Sequence, residues 1–368
     1  MKFTAERAEL LDAVTRLQKI VSSKTAMPVL EGILLSAEKG KLTLISYNLE
    51  TGIKKEMYAS CSEEGDIVIN ARLLGEILRK MNGMQVEIEA DDRLRCVIKS
   101  GEASFEIMGM AAIDFPEMPL VTEGDKIELD GKIFSEMVKG TIFAVAQIEG
   151  TRPILTGINI NLSSNRLQLV AIDGYRIAIR RSIVNAFGEA EFTVSGRAVS
   201  EVAKIIDETT ENVTITVGKR LASFDVNGYI FICRLFEGEF VNFEKTIPTE
   251  FTQRAFLNCK DLIDATERVS LIINDTFSFP VRCSFEEKSL AISSKTSIGR
   301  ARETFPIVLE GQDFELGLNC RYLLDALKAC SDDNIQIKFN GLNSGVVIIS
   351  ADENNNDFLY LIMPMRIN

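Results

Sequence analysis

The segments "INARLLGEILRKM" (residues 69–81), "VSGRAVSEVAKII" (194–206) and "LNCRYLLDALKAC" (318–330) are three versions of one pattern. In each, an apolar strand end and a small or polar residue precede an arginine that opens an amphipathic helix. These arginines are Arg72, Arg197 and Arg321, which are spaced by 125 and 124 residues. A fixed long period indicates repeated structural units. We therefore predict three homologous domains, at residues 1–120, 125–245 and 250–368.

Three further sets of segments keep the same register. The segments "KLTLISYNLE", "RLQLVAIDGY" and "SLAISSKTSI", from residues 41, 166 and 289, have strand-like alternation. The segments "ELLDAV", "IFSEMV" and "DLIDAT", from residues 9, 133 and 261, have helical spacing, and a Pro-containing segment closes each unit. Each domain should therefore contain two helices and many short strands. This order predicts an α+β fold with mostly antiparallel sheets and helices on one face.

The composition limits the classes of function. The chain has 368 residues, 41 Lys and Arg against 53 Asp and Glu, and a net charge of -12. Each predicted domain is itself acidic, so any contact with nucleic acid must use a local surface against a repulsive overall field. No apolar run approaches the roughly 20 residues of a membrane-spanning helix. We expect a cytoplasmic protein with no membrane partner.

The residues available for chemistry are few. The chain has no histidine, which removes the commonest general base and the commonest zinc ligand. Its seven cysteines are scattered without a CxxC pair, which favours buried free thiols over metal or disulfide roles: Cys61, Cys96, Cys233, Cys259, Cys283, Cys320 and Cys330. A GxxxxGK motif is absent, and the Asp91-Asp92 and Asp332-Asp333 pairs look like turns. We expect no catalytic residues, no metal and no cofactor.

The stretch "LVAIDGYRIAIR" (169–180) raises a separate question, because Asp173 fits a catalytic acid, a turn residue or the rim of a binding site. The repeat aligns Asp173 with Asn48 and Thr296, and all three are short polar side chains that favour turns. We therefore interpret Asp173 as a hairpin residue. The "GYRIAIR" that follows has no close counterpart in the other repeats, so Gly174, Tyr175 and Arg176 mark where the middle domain differs.

These features together resemble the bacterial DNA polymerase III β subunits, the family of sliding clamps. The likeness covers essentially the whole chain and includes "MPVLEGILL", "AIDGYRIAI", "GLNCRYLLDAL" and the ending "YLIMPMRIN". The resemblance implies a head-to-tail homodimeric ring that encircles duplex DNA, with helices lining the hole. Such a ring tethers the replicative polymerase and other partners, and so confers processivity without chemistry. Polymerase and clamp-loader subunits would bind through a short peptide motif.

The resemblance also implies a partner-peptide pocket. Its residues here would be Arg152, Leu155, Ile172, Gly174, Tyr175, Arg176, Ile177, Val241, Thr246, Asn319, Tyr322, Leu361, Met363, Pro364, Met365 and Arg366. Small apolar and Met-rich surfaces adapt to several ligands, while Arg and Tyr orient them. The family often has Thr at Ile172, an aromatic or His at Tyr175, and Pro at Val241, so peptide preference here should differ. The alternative for the residues before Met363 is an ordinary buried last strand.

The same resemblance implies DNA contacts at Lys24 and Arg72, with Arg197 as the repeat equivalent. The second helices carry seven basic residues (Arg72, Arg79, Lys80, Arg197, Lys204, Arg321 and Lys328) against five acidic ones, so ordinary solvated helix faces remain the alternative. Where some members touch DNA with Gln and aromatic residues, this chain has Glu149, Pro153 and Ile154. A sequence-specific DNA binder should show a basic recognition helix, which the sequence lacks.

For the subunit joint, the resemblance implies that Phe105 and Ile107 pack on Ile272 and Ile273 of a second copy. The segment "SLIIND" (270–275) ends a predicted helix with consecutive apolar residues that a monomer would bury. Burial in the chain's own core is the alternative.

Overall fold

The computed structural model describes residues 1–21, 25–147, 152–273, 280–342 and 344–366. These residues form two compact units, one made of Met1–Lys132 with Glu201–Leu235 and one made of Ile133–Ser200 with Phe236–Asn368. The strand pairings in these ranges are antiparallel throughout both units. The predicted α+β fold is therefore confirmed.

The helices and strands follow the predicted repeat. The α-helices are α1 (Arg7–Leu17), α2 (Ala71–Lys80), α3 (Gly131–Lys139), α4 (Gly196–Ile205), α5 (Cys259–Ser270) and α6 (Cys320–Lys328). The first strands are β1 (Lys2–Glu6), β2 (Gly32–Glu38), β3 (Lys41–Tyr47), β4 (Thr51–Tyr58), β5 (Ser60–Glu63), β6 (Gly65–Asn70), β7 (Gln85–Ala90), β8 (Arg95–Ser100), β9 (Ala103–Met108) and β10 (Asp125–Asp130). The middle strands are β11 (Gly157–Ile172), β12 (Arg176–Ser195), β13 (Asn212–Val217), β14 (Leu221–Val226) and β15 (Tyr229–Arg234). The last strands are β16 (Gln253–Asn258), β17 (Pro280–Glu286), β18 (Ser289–Lys295), β19 (Arg300–Pro306), β20 (Val308–Glu310), β21 (Phe314–Asn319), β22 (Asn334–Phe339), β23 (Val346–Ser350) and β24 (Phe358–Ile362).

Four sheets organise these strands. The first unit has a five-stranded sheet in the order β5-β1-β7-β8-β9 and an eight-stranded sheet in the order β10-β13-β14-β15-β4-β3-β2-β6. The second unit has a seven-stranded sheet in the order β11-β12-β24-β23-β22-β16-β20 and a four-stranded sheet in the order β19-β18-β17-β21. Two of these sheets continue across predicted domain boundaries, because β15 pairs with β4 and β12 pairs with β24.

The amphipathic second helices form for reasons visible in the sequence. The Asn70 side chain caps α2 by accepting from the Leu73 backbone N–H at 3.0 Å, and Asn319 caps α6 in the same way. Such caps satisfy backbone donors that have no partner inside the helix. The buried side of α2 carries Leu74, Ile77 and Leu78, at the spacing that the sequence predicts.

One predicted boundary differs from the structure. The helix α5 ends at Ser270, and Leu271–Ile273 follow as a turn instead of as helix. Leu271 is exposed, and Ile272 and Ile273 are half-buried. The turn is held by the Ile273 backbone N–H, which donates to the Ser270 carbonyl at 2.8 Å. Asn274 and Asp275, which complete the quoted segment, lie outside the described residues.

No helix within the described ranges is both long enough and apolar enough to cross a membrane. All seven cysteines are free, and five of them are buried.

Candidate partner-binding site

The hairpin between β11 and β12 is built around Asp173. Its Oδ1 accepts hydrogen bonds from the backbone N–H groups of Tyr175 (2.9 Å) and Arg176 (3.0 Å). Gly174 has a φ of +91°, a conformation that glycine adopts without steric cost. Asp173 is therefore a turn residue, as the repeat alignment predicts.

The aligned residues of the other repeats make the same kind of turn. The Asn48 Oδ1 accepts from the backbone N–H groups of Glu50 and Thr51, and the Thr296 Oγ1 accepts from the Ile298 N–H. Asn48 and Thr296 also donate from their side chains, to the carbonyls of Ile20 (3.1 Å) and Ile272 (3.0 Å) respectively. Those two carbonyls follow α1 and α5, so each side chain ties its hairpin to the end of a helix.

Asp173 cannot make that second bond, because a carboxylate has no proton to donate. Arg176 makes it instead. The Arg176 Nε donates to the Asp173 Oδ2 at 2.9 Å, and its Nη2 donates to the carbonyl of Phe143, which follows α3. The middle repeat thus replaces one side chain by an Asp–Arg pair.

The same guanidinium reaches α6. The Arg176 Nη1 donates to the Asp325 Oδ2 at 2.7 Å, and the guanidinium carbon lies 4.2 Å from the centre of the Tyr322 ring. Arg176 is only 5% exposed, so two carboxylates and an aromatic face surround a buried cation. Charge-assisted bonds of this kind are about twice as strong as neutral ones. Arg176 therefore fixes the position of the hairpin relative to α6.

Two tyrosines stand above this buried ion pair. Tyr175 is 63% exposed, and its ring centre lies 6.4 Å from that of the half-buried Tyr322. Burial raises the pKa of Tyr322, with a smaller contribution from the charge of Asp173. The Tyr322 hydroxyl therefore remains a protonated donor at neutral pH.

An apolar cluster adjoins the tyrosines. Its buried members are Val170, Ile172, Ile177, Ile179, Val347 and Leu361, and its partly buried members are Leu155, Phe240, Val241, Phe243, Ile247, Phe251, Ile349, Leu359 and Met363. The cluster thus brings together residues from four strands, β11, β12, β23 and β24, and from two connecting segments. Met363 and Val241 present partly exposed apolar surface beside buried branched side chains, which suits adaptable recognition of an apolar ligand.

The C-terminal segment is held by backbone bonds. The Met363 N–H donates to the Tyr175 carbonyl at 2.8 Å, and the Met365 N–H donates to the Gly317 carbonyl at 2.8 Å. The segment therefore runs from the hairpin turn to β21. Leu361 is buried in β24, whereas Met363, Pro364 and Met365 are half-buried. Leu361 is thus part of an ordinary buried last strand, which was the alternative to a pocket role. Met363 begins a different, partly exposed segment.

The remaining predicted pocket residues are placed as follows. Asn319 caps α6 and accepts from the N–H groups of Arg321 and Tyr322, so its side chain already has a structural role. Arg152, Thr246 and Arg366 are exposed. The roles of these three residues in the pocket stay predictions.

Several residues of the site were not predicted. Asp325 and Phe143 hold Arg176, and no local sequence signal marks either one, because their role depends on long-range packing. Phe240, Phe243 and Ile247 pack on the apolar cluster. Their apolar spacing in "EFVNFEKTIP" could have indicated them.

The predicted DNA-binding residues lie on helices where described. Arg72 is exposed at the start of α2, and its Nε lies 3.0 Å from the Glu76 Oε1, one turn further along the helix. Arg197 is exposed at the start of α4. Lys24 and Glu149 lie outside the described residues. Pro153 and Ile154 begin a short 3₁₀ helix, Pro153–Thr156.

Of the residues predicted for the subunit joint, one pair lies on an edge strand and the other pair lies in the turn after α5. Phe105 and Ile107 lie on β9, the edge strand of the five-stranded sheet, where Phe105 is 38% exposed. The turn that contains Ile272 and Ile273 contacts the β18–β19 hairpin through the bond from Thr296.

Three of the buried thiols are poorly suited to act as nucleophiles. Burial raises the pKa of Cys96, Cys233 and Cys283 to about 12 in each case. Within the described ranges, no group of three or more His, Cys, Asp or Glu side chains could hold a metal ion.

Fold and site together define a clamp-type protein, with a repeated α+β architecture and an apolar surface beside a fixed Tyr–Arg hairpin. Protein-family models of the DNA polymerase III beta subunit match nearly all of the sequence. The model of the N-terminal domain matches residues 1–119, that of the central domain 128–242 and that of the C-terminal domain 244–366. The chain belongs to this family, the bacterial beta sliding clamps, and acts as a non-catalytic processivity factor in DNA replication.

Individual relatives agree along the full length. The beta sliding clamp of Bacillus subtilis (strain 168) is 29% identical over 379 residues, which cover 100% of both chains. The crystal structure of the DNA polymerase sliding clamp from Bacillus subtilis superposes with a TM-score of 0.94 at 28% identity, again covering 100% of both chains. A sliding clamp from Bartonella birtlesii, crystallised bound to griselimycin, gives a TM-score of 0.92 at 26% identity, with 100% of both chains covered.

Proposed function

We propose that two copies of this chain form a closed head-to-tail ring around duplex DNA. The observation that carries the proposal is a pair of complementary sheet edges. Strand β9 ends the five-stranded sheet of one unit, and β19 ends the four-stranded sheet of the other. Unpaired edge strands present backbone donors and acceptors that favour pairing with another strand. A heterologous contact of this kind closes into a ring when the rotation between copies allows it.

The side chains of these two edges support the pairing. Exposed residues of β9 include Phe105, Glu106 and Met108, whereas β19 exposes Arg300 and Arg302. Opposite charges across an interface favour the correct partner and register. The apolar Leu271 (81% exposed) and Ile298 (60% exposed) flank β19 and would be covered by a second copy.

DNA would pass through this ring. The proposed contacts are Lys24, Arg72 and Arg197, which would meet phosphates without reading bases. The net charge of -12 opposes tight binding, so affinity must come from enclosure instead of from a strong basic surface. Weak phosphate contacts leave the ring free to move along the duplex.

We further propose that polymerase and clamp-loader subunits insert a short peptide at the partner-binding site. The apolar cluster would receive apolar anchor side chains, and the exposed Tyr175 would cover them. Arg152, Arg366 and the exposed surface of Thr246 would orient the peptide at the rim. The griselimycin-bound relative supports ligand binding by clamps of this fold. We also propose three domains, with boundaries at 1–120, 125–245 and 250–368, and a cytoplasmic location.

Molar mass in solution tests the ring directly. Light scattering should give twice the chain mass of 40.9 kDa. A monomer at concentrations well above those of a cell would refute the ring, because three domains cannot close it alone.

A further inference from the structure

We propose that Cys259 and Cys330 form a reactive dithiol that a two-electron oxidant, such as hydrogen peroxide, converts into a disulfide. The bond would link the first residue of α5 to the segment directly after α6. Neither cysteine belongs to the partner-binding site or to the proposed subunit joint.

The two thiols converge on the last turn of α6. The Cys259 Sγ donates to the Leu327 carbonyl at 3.4 Å, and the Cys330 Sγ donates to the Ala326 carbonyl at 3.4 Å. The Leu327 carbonyl also accepts from the Cys330 backbone N–H at 3.1 Å. One carbonyl therefore binds both the sulfur of Cys259 and the backbone of Cys330. The thiols also form a hydrogen bond with each other.

The surroundings of the two sulfurs shift their pKa values in opposite directions. The hydrogen bond from Cys330 lowers the pKa of the Cys259 thiol, and the same bond, together with burial, raises the pKa of the Cys330 thiol. Cys259 also begins a helix of 12 residues, whose N-terminal dipole favours an anion. Cys259 is thus the more acidic of the two thiols, and Cys330 is the less acidic one.

A buried cation lies beside the pair. The Arg180 guanidinium is 9% exposed, donates from Nη1 to the Ala329 carbonyl at 3.4 Å, and favours the thiolate form of Cys330 by its charge. The Arg180 Nε has no hydrogen-bond partner among the described residues. An under-satisfied buried cation next to the Cys330 sulfur stabilises negative charge that develops on that sulfur.

The remaining five cysteines lack this arrangement. Cys96 and Cys233 are fully buried, and burial raises the pKa of each to about 12. The charge of Cys320 adds to the effect of burial in raising the pKa of Cys283, and burial raises the pKa of Cys320 to about 11. The fifth, Cys61, donates to backbone carbonyls.

The chemistry balances with hydrogen peroxide as the oxidant. The Cys259 thiolate attacks one peroxide oxygen, the O–O bond breaks, and the departing hydroxide takes a proton to become water. Cys259 is then a sulfenic acid. The Cys330 sulfur attacks the Cys259 sulfur, the S–O bond breaks, and the thiol proton leaves with the oxygen as a second water. Two thiols lose two electrons, and one peroxide gains them.

Thiol counting on the full-length protein tests the proposal. After mild peroxide treatment and denaturation, the number of free thiols should fall from seven to five. Mass spectrometry of a non-reduced digest should show the peptide with Cys259 joined to the peptide with Cys330, and dithiothreitol should separate them. Seven remaining thiols, or thiol loss without this linked peptide, overturns the proposal.

Single variants supply the controls. Cys259→Ser and Cys330→Ser should each keep all six remaining thiols, whereas the matched control Cys96→Ser should lose two, as the wild type does. Circular dichroism confirms that each variant is folded before treatment. Equal thiol loss in the two pair variants and in the control would contradict the assignment. If a serine variant does not fold, the search for the linked peptide in the wild-type digest still tests the proposal.

Discussion

The Arg176 Nε lies 2.9 Å from the Asp173 Oδ2, and this pair performs in the middle repeat what a single side chain performs in the other two. Asn48 and Thr296 each close their own turn and donate to a carbonyl at a helix end. An aspartate can accept only, so the donation passes to Arg176, whose longer side chain also reaches Asp325. The Asp173–Arg176 pair adds a link to α6 that the turn residues of the other two repeats, Asn48 and Thr296, do not provide.

The link to α6 leads to the first prediction. Asp325→Asn removes one of the two carboxylates around the buried Arg176, so the hairpin and Tyr322 lose their fixed spacing. We expect roughly tenfold weaker binding of a partner-derived peptide, or about 1.4 kcal/mol. Fluorescence anisotropy with a labelled peptide from the replicative polymerase measures it. Asp313→Asn, at an exposed position before β21, is the matched control and should bind normally. Equal affinity of both variants would show that α6 does not position the site.

The turn role of Asp173 gives the second prediction. Asp173→Ala removes the Oδ1 that accepts from both the Tyr175 and the Arg176 N–H groups, and should lower the free energy of unfolding by about 1–3 kcal/mol. Asp173→Asn keeps the Oδ1 acceptor, as Asn48 does, and should cost clearly less. Urea denaturation followed by circular dichroism measures both. Equal losses for the two variants would mean that the carboxylate charge matters more than the turn.

The C-terminal segment gives the third prediction. Met363→Ala with Arg366→Ala should weaken peptide binding, because the first change removes apolar surface from the cluster and the second removes a rim cation. The dimer mass in light scattering should not change. Met84→Ala with Arg93→Ala, an exposed pair in the other unit, is the control. Unchanged peptide affinity in the Met363/Arg366 variant rejects the assignment of the pocket.

The proposed subunit joint gives the fourth prediction. Ile272→Asp with Ile273→Asp places two carboxylates at a surface that should be covered in the ring, where unpaired charge is costly. Sedimentation should show monomers, with the helical circular dichroism signal retained. Leu342→Asp, at an exposed apolar position in the same unit, should leave the dimer intact. A dimer that persists in the Ile272/Ile273 variant would place the joint elsewhere.

The sequence predicted the local elements well because their causes are local. Apolar spacing in "ARLLGEILRK" and the Asn70 cap are sufficient to specify α2, and the Asp-Gly pair specifies the hairpin. The end of α5 was predicted too late, because apolar residues such as Ile272 have no local signal that stops a helix. The partnership of Arg176 with Asp325 spans 149 residues and depends on how α6 packs against the hairpin. No spacing rule contains that information.

The salt resistance of DNA binding on circular and linear templates tests the central claim most directly. The protein is loaded on nicked circular DNA by its clamp loader with ATP, moved into high salt, and separated from free protein by gel filtration. Enclosure predicts that the protein stays on the circle, because salt weakens phosphate contacts but does not open a closed ring. Cutting the circle once should release it, since the ring slides off the ends. Equal loss from circular and linear DNA would contradict the account.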